Sequence, residues 1–383
     1  MLGKGWRSTA ALAASMAVLA AALTSTTLAQ PRAAPPAQTE ADPGVTPAPP
    51  DRAVVFVVLD GARWQDVLIG VDGELAAQAK MDPRTANLPT MPRLAKLART
   101  RGAVFGAPDS GTTIRASGPN FVSLPGYTEI LGGHPPSACD SNQCPATTRA
   151  TFVDEVRAWS DSPRDVAVFS SWPDLVRVAS LHPETLVVSG GRSLRHNESI
   201  LREDPEMSDL LDRGARALAW PGEWDFRPDR FTAPLATRYL EVAQPRFLFL
   251  SLGESDEYAH HGDYAAYLES LQFADDAIAG IVDTLDRMGE RGKHTTVYVT
   301  ADHGRAYDFQ DHGREWPESA RSWLVAIGDD VGSRGAIEGG SALEERRLAD
   351  IAPTARALLG MPGDAATDAG RAIAALLPAG GPR

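Results

Sequence analysis

Three short apolar runs, each followed by a polar turn, organise the hydrophobic pattern of the chain. They cover residues 54–59, 247–252 and 297–300. Continuous β-branched and aromatic runs of this length predict strands buried on both faces, as in a parallel sheet. In open α/β sheets, ligands bind outside the carboxyl ends of the strands. The polar residues that follow these runs are therefore the first candidates for a functional site.

Weaker patterns complete the predicted architecture. Residues 165–169 and 322–328 read as further strands, and residues 106–119 read as a polar loop. Amphipathic periodicity predicts helices over residues 91–101 and 264–286, and another helix opens at residue 350. Strands that alternate with helices predict one three-layer α/β domain over residues 53–375, with a mostly parallel central sheet and helices on both faces.

Residues 190–230 carry many charges and little apolar periodicity. They predict an insertion or a lid within this domain.

The N-terminal segment reads as an export signal. Lys4 and Arg7 precede an apolar stretch over residues 10–23, which is short for a membrane span. We expect a signal peptide over residues 1–29, the alternative being an uncleaved anchor. Residues 30–52 are rich in proline and alanine and predict a disordered linker. The expected product is periplasmic or secreted, without stable membrane insertion after cleavage.

The overall charge indicates which kinds of molecule the protein can bind. The chain carries a formal charge of -13, and loss of Lys4 and Arg7 with the signal peptide makes it more negative still. An acidic protein repels phosphate backbones, so we expect no nucleic acid partner. Bound metal ions reverse the local field, so a small-molecule phosphate ester is still a suitable substrate.

Carboxylates and imidazoles follow the apolar runs in a pattern that favours metal binding. Asp60 follows the first run, and Asp302 and His303 follow the last. Asp256 and His260 follow the middle run and are four residues apart, which places both on one face of a helical turn. Each has an ordinary alternative, such as a helix cap for Asp60. Their recurrence at strand ends favours ligands.

Two further residues complete the candidate chemistry. Ser123 stands just before Pro125-Gly126 and a predicted helix start, where free N–H groups favour negative charge. The alternative is that Ser123 only caps this helix. His312 lies in a polar loop soon after the Asp302 motif, where function is more common than packing. His261 reads as a surface or outer-shell residue.

These parts suit one reaction class. Mixed carboxylate and imidazole ligands suit zinc, with manganese or iron as alternatives. Two divalent ions can stabilise the attacking and leaving oxygens of an in-line displacement, and a serine can act as nucleophile beside them. The inventory predicts phosphoryl transfer to Ser123 followed by hydrolysis.

The order of these motifs resembles the alkaline phosphatase superfamily over about residues 53–360. The motifs are Asp60-Gly61, Ser123-x-Pro125-Gly126, Asp256-x-x-x-His260, Asp302-His303-Gly304 and His312-Gly313. Within the superfamily, the chain is most similar to the nucleotide pyrophosphatase/phosphodiesterase-like branch. Ser123 stands where many members of that branch carry threonine, which leaves a hydroxyl nucleophile in place.

The resemblance implies two metal sites. The first would comprise Asp60, Ser123, Asp302 and His303, and the second would comprise Asp256, His260 and His312. Asn142 falls where the branch places an asparagine that contacts a substrate oxygen, although the surrounding cysteine loop departs from the pattern.

Other branches fit less well. Ser123-Leu124-Pro125-Gly126-Tyr127 lacks the arginine of the sulfatase motif. Cofactor-independent phosphoglycerate mutases share similar ligands but carry a large insert that this chain lacks. We expect cleavage of phosphodiester or pyrophosphate bonds, because a phosphomonoester needs a further fixed cation, for which Arg63 and Arg115 are candidates by sequence proximity. The alternatives are a phosphomonoesterase and an inactive metal-binding envelope protein.

Cys139 and Cys144 are the only cysteines of the chain. Their proximity in an exported protein predicts a disulfide that holds Asn142 in a small loop. A metal pair is the alternative, and the chain has no second Cys/His cluster with zinc-finger spacing to support it.

Overall fold

The computed structural model describes residues 52–341, 343–364, 366 and 368–378. The predicted signal peptide (1–29) and the predicted linker (30–52), apart from Arg52, lie outside these residues. None of the described helices combines the length and the apolar composition that crossing a membrane requires.

The strands, in chain order, are β1 (Ala53–Leu59), β2 (Gly102–Phe105), β3 (Thr112–Arg115), β4 (Val166–Ser170), β5 (Val187–Gly190), β6 (Leu194–His196), β7 (Phe247–Leu252), β8 (Thr295–Thr300), β9 (Arg321–Ser322), β10 (Leu324–Ile327), β11 (Gly335–Ala336) and β12 (Glu344–Arg347).

The α-helices are α1 (Trp64–Leu68), α2 (Gly73–Gln78), α3 (Pro92–Arg101), α4 (Ser123–Gly132), α5 (Phe152–Ala158), α6 (Val176–Ala179), α7 (Glu198–Arg202), α8 (Pro205–Arg216), α9 (Asp229–Ala243), α10 (Glu254–His260), α11 (Tyr264–Arg287), α12 (Glu290–Lys293) and α13 (Ile351–Leu359).

A large sheet divides the described residues into two cores. Its nine described strands have the order β11-β2-β10-β8-β1-β7-β4-β5-β6. The run β8-β1-β7-β4-β5 is parallel, whereas β10 pairs antiparallel with β8. A smaller sheet contains β12, β3 and β9. The predicted α/β fold with a mostly parallel central sheet is therefore confirmed.

Strand β1 shows why the apolar runs are continuous. Val55 and Val57 belong to one core cluster, while Val54 and Phe56 belong to the other. Because successive side chains of a strand point to opposite faces, both faces of β1 are buried. Helices α3, α8, α9 and α11 cover the first face, and α4, α5, α6 and α13 cover the second. This arrangement gives the three predicted layers.

One local prediction differs from the structure. The segment 106–119, predicted as loop, contains β3, because β3 pairs with the distant β12 and a local pattern does not carry that information. Within residues 190–230, β6 joins the main sheet and α8 packs with α9 through Met207 and Leu211. The connection from residue 217 to 228 is the longest part of this region outside a described helix or strand. The lid or insertion over residues 190–230 stays a prediction, and this connection is the part of the region that fits it.

Candidate metal centre

The three central parallel strands bring the candidate ligands together. Strands β8, β1 and β7 are neighbours in the sheet. Asp60 directly follows β1, Asp302 follows β8 by two residues, and α10 begins two residues after β7. Since the carboxyl ends of parallel strands share one edge, the three predicted motifs meet there.

Asp60, Asp302 and His303 form the inner cluster. One ligand atom from each lies within 4.8 Å of the others. All three side chains are buried, with exposed fractions of 4%, 0% and 0%. The Nε2 atom of His303 lies 3.5 Å from Asp60 Oδ1 and 3.6 Å from Asp302 Oδ2. The Gly61 amide donates to the other Asp302 oxygen at 3.0 Å and fixes the carboxylate.

Ser123 joins the inner cluster from helix α4. It is the first residue of the helix, and its hydroxyl donates to Asp60 Oδ1 at 3.3 Å. The N-cap position of α4 is occupied by Val122, and the Ser123 hydroxyl bonds to Asp60 instead, so Ser123 is not the cap of this helix. One turn later, Tyr127 donates to Asp60 Oδ2 at 3.0 Å. Both oxygens of Asp60 are therefore oriented from one face of α4.

Asp256, His260 and His312 form the outer cluster. One ligand atom from each of the three again lies within 4.8 Å of the others. The Nε2 atom of His260 lies 3.0 Å from Asp256 Oδ2 and 3.1 Å from His312 Nε2. The side chain of His260 is 45% exposed, so the outer cluster opens to solvent. The His312 ring also stacks on His303 at 4.0 Å, which joins the two clusters.

The residues of both clusters fit divalent metal ions. Asp302 Oδ2 and His303 Nε2 are buried and have no hydrogen-bond partner among the described residues. His303 and His312 each place Nδ1 within hydrogen-bond distance of a backbone carbonyl, that of Gly304 and that of Phe121. A carbonyl can only accept, so Nδ1 carries the proton in both rings and Nε2 keeps its lone pair. Neutral imidazoles and carboxylates are the ligands that such ions need.

The electrostatics of the inner cluster also favour a cation. Burial, with the nearby Asp256 charge, raises the pKa of Asp60 to about 7. Burial and the Asp60 charge hold the pKa of Asp302 well above its ordinary range. Burial lowers the pKa of His303 to about 4, so its ring is neutral near pH 7. Positive charge at this point would offset the repulsion between the carboxylates.

The outer cluster already contains a positive charge. Burial acts to raise the pKa of Asp256, but the Arg305 guanidinium and then His260 outweigh it and hold this pKa well below its usual range. In return, Asp256 raises the pKa of His260. Burial, with the nearby His303 ring, lowers the pKa of His312 to about 3.

Asn142 lies beside Leu124, the residue that follows Ser123. Its Oδ1 atom accepts a hydrogen bond from the Leu124 amide at 2.9 Å. The carbonyl oxygen is thus committed, and the amide N–H groups are what Asn142 can offer a substrate. The predicted disulfide between Cys139 and Cys144 is present and closes the loop that carries Asn142.

The two arginines proposed from sequence proximity are not at the site. Arg63 is buried in an ion pair with Asp66, and Arg115 lies on β3 and pairs with Glu345. Closeness in sequence to Asp60 and Ser123 did not identify a cation at the site, because each arginine pairs with a carboxylate outside it. Arg305 is a buried cation at the site that the sequence pattern did not indicate. Its position, two residues after His303, was the signal that could have identified it.

Gly126 sets the distance between α4 and the end of β8. A Cβ atom at this position would overlap the Asp302 carbonyl group. The absence of a side chain lets the helix that carries Ser123 approach the strand end that carries Asp302.

His261 is not a ligand in either cluster. Its Nε2 atom lies 2.9 Å from the Pro221 carbonyl, and its ring stacks on Trp220. The interpretation of His261 as a residue outside the ligand set therefore agrees with the structure.

Comparisons with known proteins agree with this fold. A family model described as Metalloenzyme superfamily matches residues 223–362, which include five of the predicted ligands, namely Asp256, His260, Asp302, His303 and His312. The 2,3-bisphosphoglycerate-independent phosphoglycerate mutase of Haloarcula marismortui is 26% identical over 255 residues, or 61% of this chain and 45% of the relative. The corresponding mutase of Synechococcus elongatus is 30% identical over 126 residues, or 30% of this chain and 21% of the relative. The chain spans less than half the length of these curated relatives.

Solved structures share the fold. The alkaline phosphatase PafA aligns with a TM-score of 0.55 at 12% identity, covering 87% of this chain and all of that one. A 2-O GAG sulfatase aligns with a TM-score of 0.53 at 14% identity, covering 85% of this chain and 74% of that one.

Proposed function

Because the chain belongs to the alkaline phosphatase superfamily of metalloenzymes, we propose that it hydrolyses phosphate esters through a phosphoserine on Ser123. One observation carries the proposal. The Ser123 hydroxyl donates to Asp60 at 3.3 Å, inside a cluster that also contains two buried ligand atoms without a hydrogen-bond partner among the described residues. A hydroxyl placed in a cation site is arranged as a nucleophile.

The inner and outer clusters would each hold one divalent ion, for which zinc is our first candidate and manganese or iron the alternatives. Ions at such positions offset charge on a phosphoryl group and lower the pKa of a nearby hydroxyl. Asp60, Asp302 and His303 would bind the inner ion together with Ser123. Asp256, His260 and His312 would bind the outer ion.

The reaction has two displacements. In the first, Ser123 Oγ loses its proton to solvent and forms a bond to phosphorus, the bond from phosphorus to the leaving oxygen breaks, and that oxygen takes a proton from water. In the second, water cleaves the serine–phosphorus bond and restores the hydroxyl. The N-terminus of α4 favours negative charge beside Ser123, and Asn142 donates to a phosphoryl oxygen.

The charge of the site supports a phosphodiester or a substituted pyrophosphate as substrate. Three ligand carboxylates and an ionised Ser123 carry four negative charges, which two divalent ions offset. Arg305 then leaves one positive charge at the site. A diester, or the substituted phosphorus of a pyrophosphate, carries one ionised oxygen, so the charges match. The dianion of a monoester would leave an excess of negative charge.

A phosphomonoesterase is the second candidate, and Arg314 favours it. Its guanidinium donates to Asn120 at 3.0 Å, in the segment that leads to Ser123. The salt bridges among the described residues do not include this arginine, so its charge is open to a second anionic oxygen.

The proposed substrate class and cellular location follow from the charge and the N-terminal sequence. We infer a small-molecule phosphate ester as the substrate, no nucleic acid, and an exported enzyme. The formal charge of -13 supports the exclusion of nucleic acid, and the N-terminal sequence pattern supports export.

A comparison of three esters tests the activity. The purified protein, loaded with zinc or manganese, is assayed with nitrophenyl phosphate, its methyl diester and nitrophenyl sulfate. We expect the highest kcat/KM with the diester and little turnover of the sulfate. A clear preference for the monoester would establish the second candidate, and Arg314→Ala should then lower that preference. A protein that binds metal but cleaves none of the three would be an inactive metal-binding protein.

A further inference from the structure

Arg305 is engaged at every nitrogen of its guanidinium. Its side chain is fully buried, and Nη1 contacts Asp256 Oδ1. Nε donates to the Phe309 carbonyl, and Nη2 donates to the Gln310 carbonyl at 2.6 Å. Arg305 therefore joins a predicted ligand on α10 to the loop that precedes His312.

The two oxygens of the Asp256 carboxylate face different partners. Oδ2 faces His260 Nε2 at 3.0 Å. Oδ1 contacts Arg305, and His312 Nε2 lies 3.8 Å from the same oxygen. An ion bound through Oδ2 would leave the guanidinium in place, with both positive charges sharing one carboxylate.

The backbone of Gly61 lies close against the contact between Arg305 and Asp256. A Cβ atom at this position would overlap both Asp256 Oδ1 and Arg305 Nη1. The loop that Arg305 holds is itself packed, because the Phe309 ring contacts Tyr264 and Tyr267. Phe309 itself has a φ of +61°, which non-glycine residues rarely adopt, and its carbonyl is held by Arg305.

We propose that Arg305 supplies a permanent positive charge beside the outer cluster. This charge keeps Asp256, His260 and His312 together when no ion is bound, and it lowers the affinity of the outer cluster for an ion. The inference rests on the two metal sites of the proposed function but not on any substrate. Its physical basis is competition: a carboxylate shared with a guanidinium donates less charge to a metal, and two cations a few ångströms apart repel each other. Arg305 acts through Asp256 and is a positioning residue.

Two variants separate the charge of Arg305 from its anchoring role. Arg305→Met removes the charge and the hydrogen bonds, whereas Arg305→Lys keeps the charge and loses the forked contacts to Phe309 and Gln310. Arg63→Met is the matched control, because Arg63 is an equally buried arginine paired with Asp66 outside the clusters. Zinc alone is the probe, so the measurement is independent of catalysis.

The experiment measures two quantities. One is the zinc affinity, obtained by competition with a chelator, and the other is the change in Tm when zinc is added. We expect the metal-free Arg305→Met protein to be less stable than the metal-free wild type. Its outer cluster should bind zinc roughly tenfold more tightly than the outer cluster of the wild type. Added zinc should therefore raise the Tm of this variant more than it raises the Tm of the wild type. Arg305→Lys should keep the wild-type affinity. Arg63→Met should lose stability with zinc affinity unchanged.

Other results would overturn the proposal. Weaker zinc binding by Arg305→Met, or a loss of affinity shared by the Lys and Met variants, would mean that Arg305 serves geometry alone. The same gain in Arg63→Met would mean that the effect is not local. If Arg305→Met folds only with zinc present, the release rate of zinc to a chelator replaces the affinity. Slower release than in the wild type supports the counter-charge, and equal or faster release contradicts it.

Discussion

The inner and outer clusters use the same ligand types in opposite environments. The inner residues are buried at strand ends, and two of their ligand atoms lack any partner among the described residues. The outer residues come from one helical turn and a loop, and they contact one another and Arg305. The inner cluster thus has buried ligand atoms that an ion would satisfy, whereas the outer cluster is partly neutralised by Arg305. Similar motifs in a sequence can therefore lie in different electrostatic environments.

The substitution with the largest expected effect lies at the inner cluster. Ser123→Ala removes the proposed nucleophile, and we expect kcat on the best ester to fall at least ~10³-fold while the fold and most metal binding are kept. Thr128→Ala is the control, because its hydroxyl lies on the same helix without a hydrogen-bond partner among the described residues. Full activity in Ser123→Ala would refute the mechanism.

Removal of one ligand from each cluster tests the comparison itself. We expect the wild type to hold two ions, and chelation to remove the outer ion first. His260→Ala should leave one tightly held ion, while His303→Ala should lose that ion and retain only a weak one. The affinity at the altered site should fall by more than the roughly 10–100-fold that outer-shell changes cost. Elemental analysis measures the number of bound ions, and chelator titration measures their affinity. Two equally weak or equally tight ions in the wild type would remove the distinction between the clusters.

Glu129 is buried on α4, the helix that carries Ser123 of the inner cluster. Burial raises its pKa to about 7, against hydrogen bonds from Ser117 and Ala349 that lower it. A carboxyl group with a raised pKa contributes stability at low pH that is lost as the pH rises through about 7. Glu129→Gln should flatten this part of the pH dependence, by up to about 3 kcal/mol between pH 4.5 and 7. Urea unfolding at several pH values checks it, and parallel profiles would count against the assignment.

The disulfide has the smallest expected effect. It closes a loop with a sequence separation of 5, for which chain entropy gives about 2 kcal/mol of stability. Replacing Cys139 and Cys144 by serine should lower Tm by a few degrees. It should also raise KM more than it lowers kcat, because the loop places Asn142 beside Leu124. An unchanged KM would mean that other contacts hold Asn142.

The elements predicted from the sequence were those with strong local patterns. Strand β7 has the bounds of its apolar run, and β1 extends its run by one residue. Their burial on both faces makes the run continuous, so the pattern and the cause coincide. Residues after such strands could be chosen as candidate ligands because parallel strands end at one edge.

What the sequence did not reveal depends on contacts across long separations. Arg305 meets Asp256 across 49 positions, and β3 pairs with β12 across more than 200. Arg63 and Arg115 were chosen by proximity along the chain and were wrong, because each finds a carboxylate outside the site. Tyr127 could have been identified, since four residues from Ser123 on a helix is the same face.

Gly126 has a consequence for how freely this protein can vary. It binds nothing, yet the width of the gap between helix and strand end depends on its lack of a side chain. A saturation library scored for hydrolysis should therefore find Gly126 about as intolerant as the ligands, with alanine already deleterious. Transplanting the centre to another scaffold would fail if only the reactive side chains were copied. The spacing has to be copied with them.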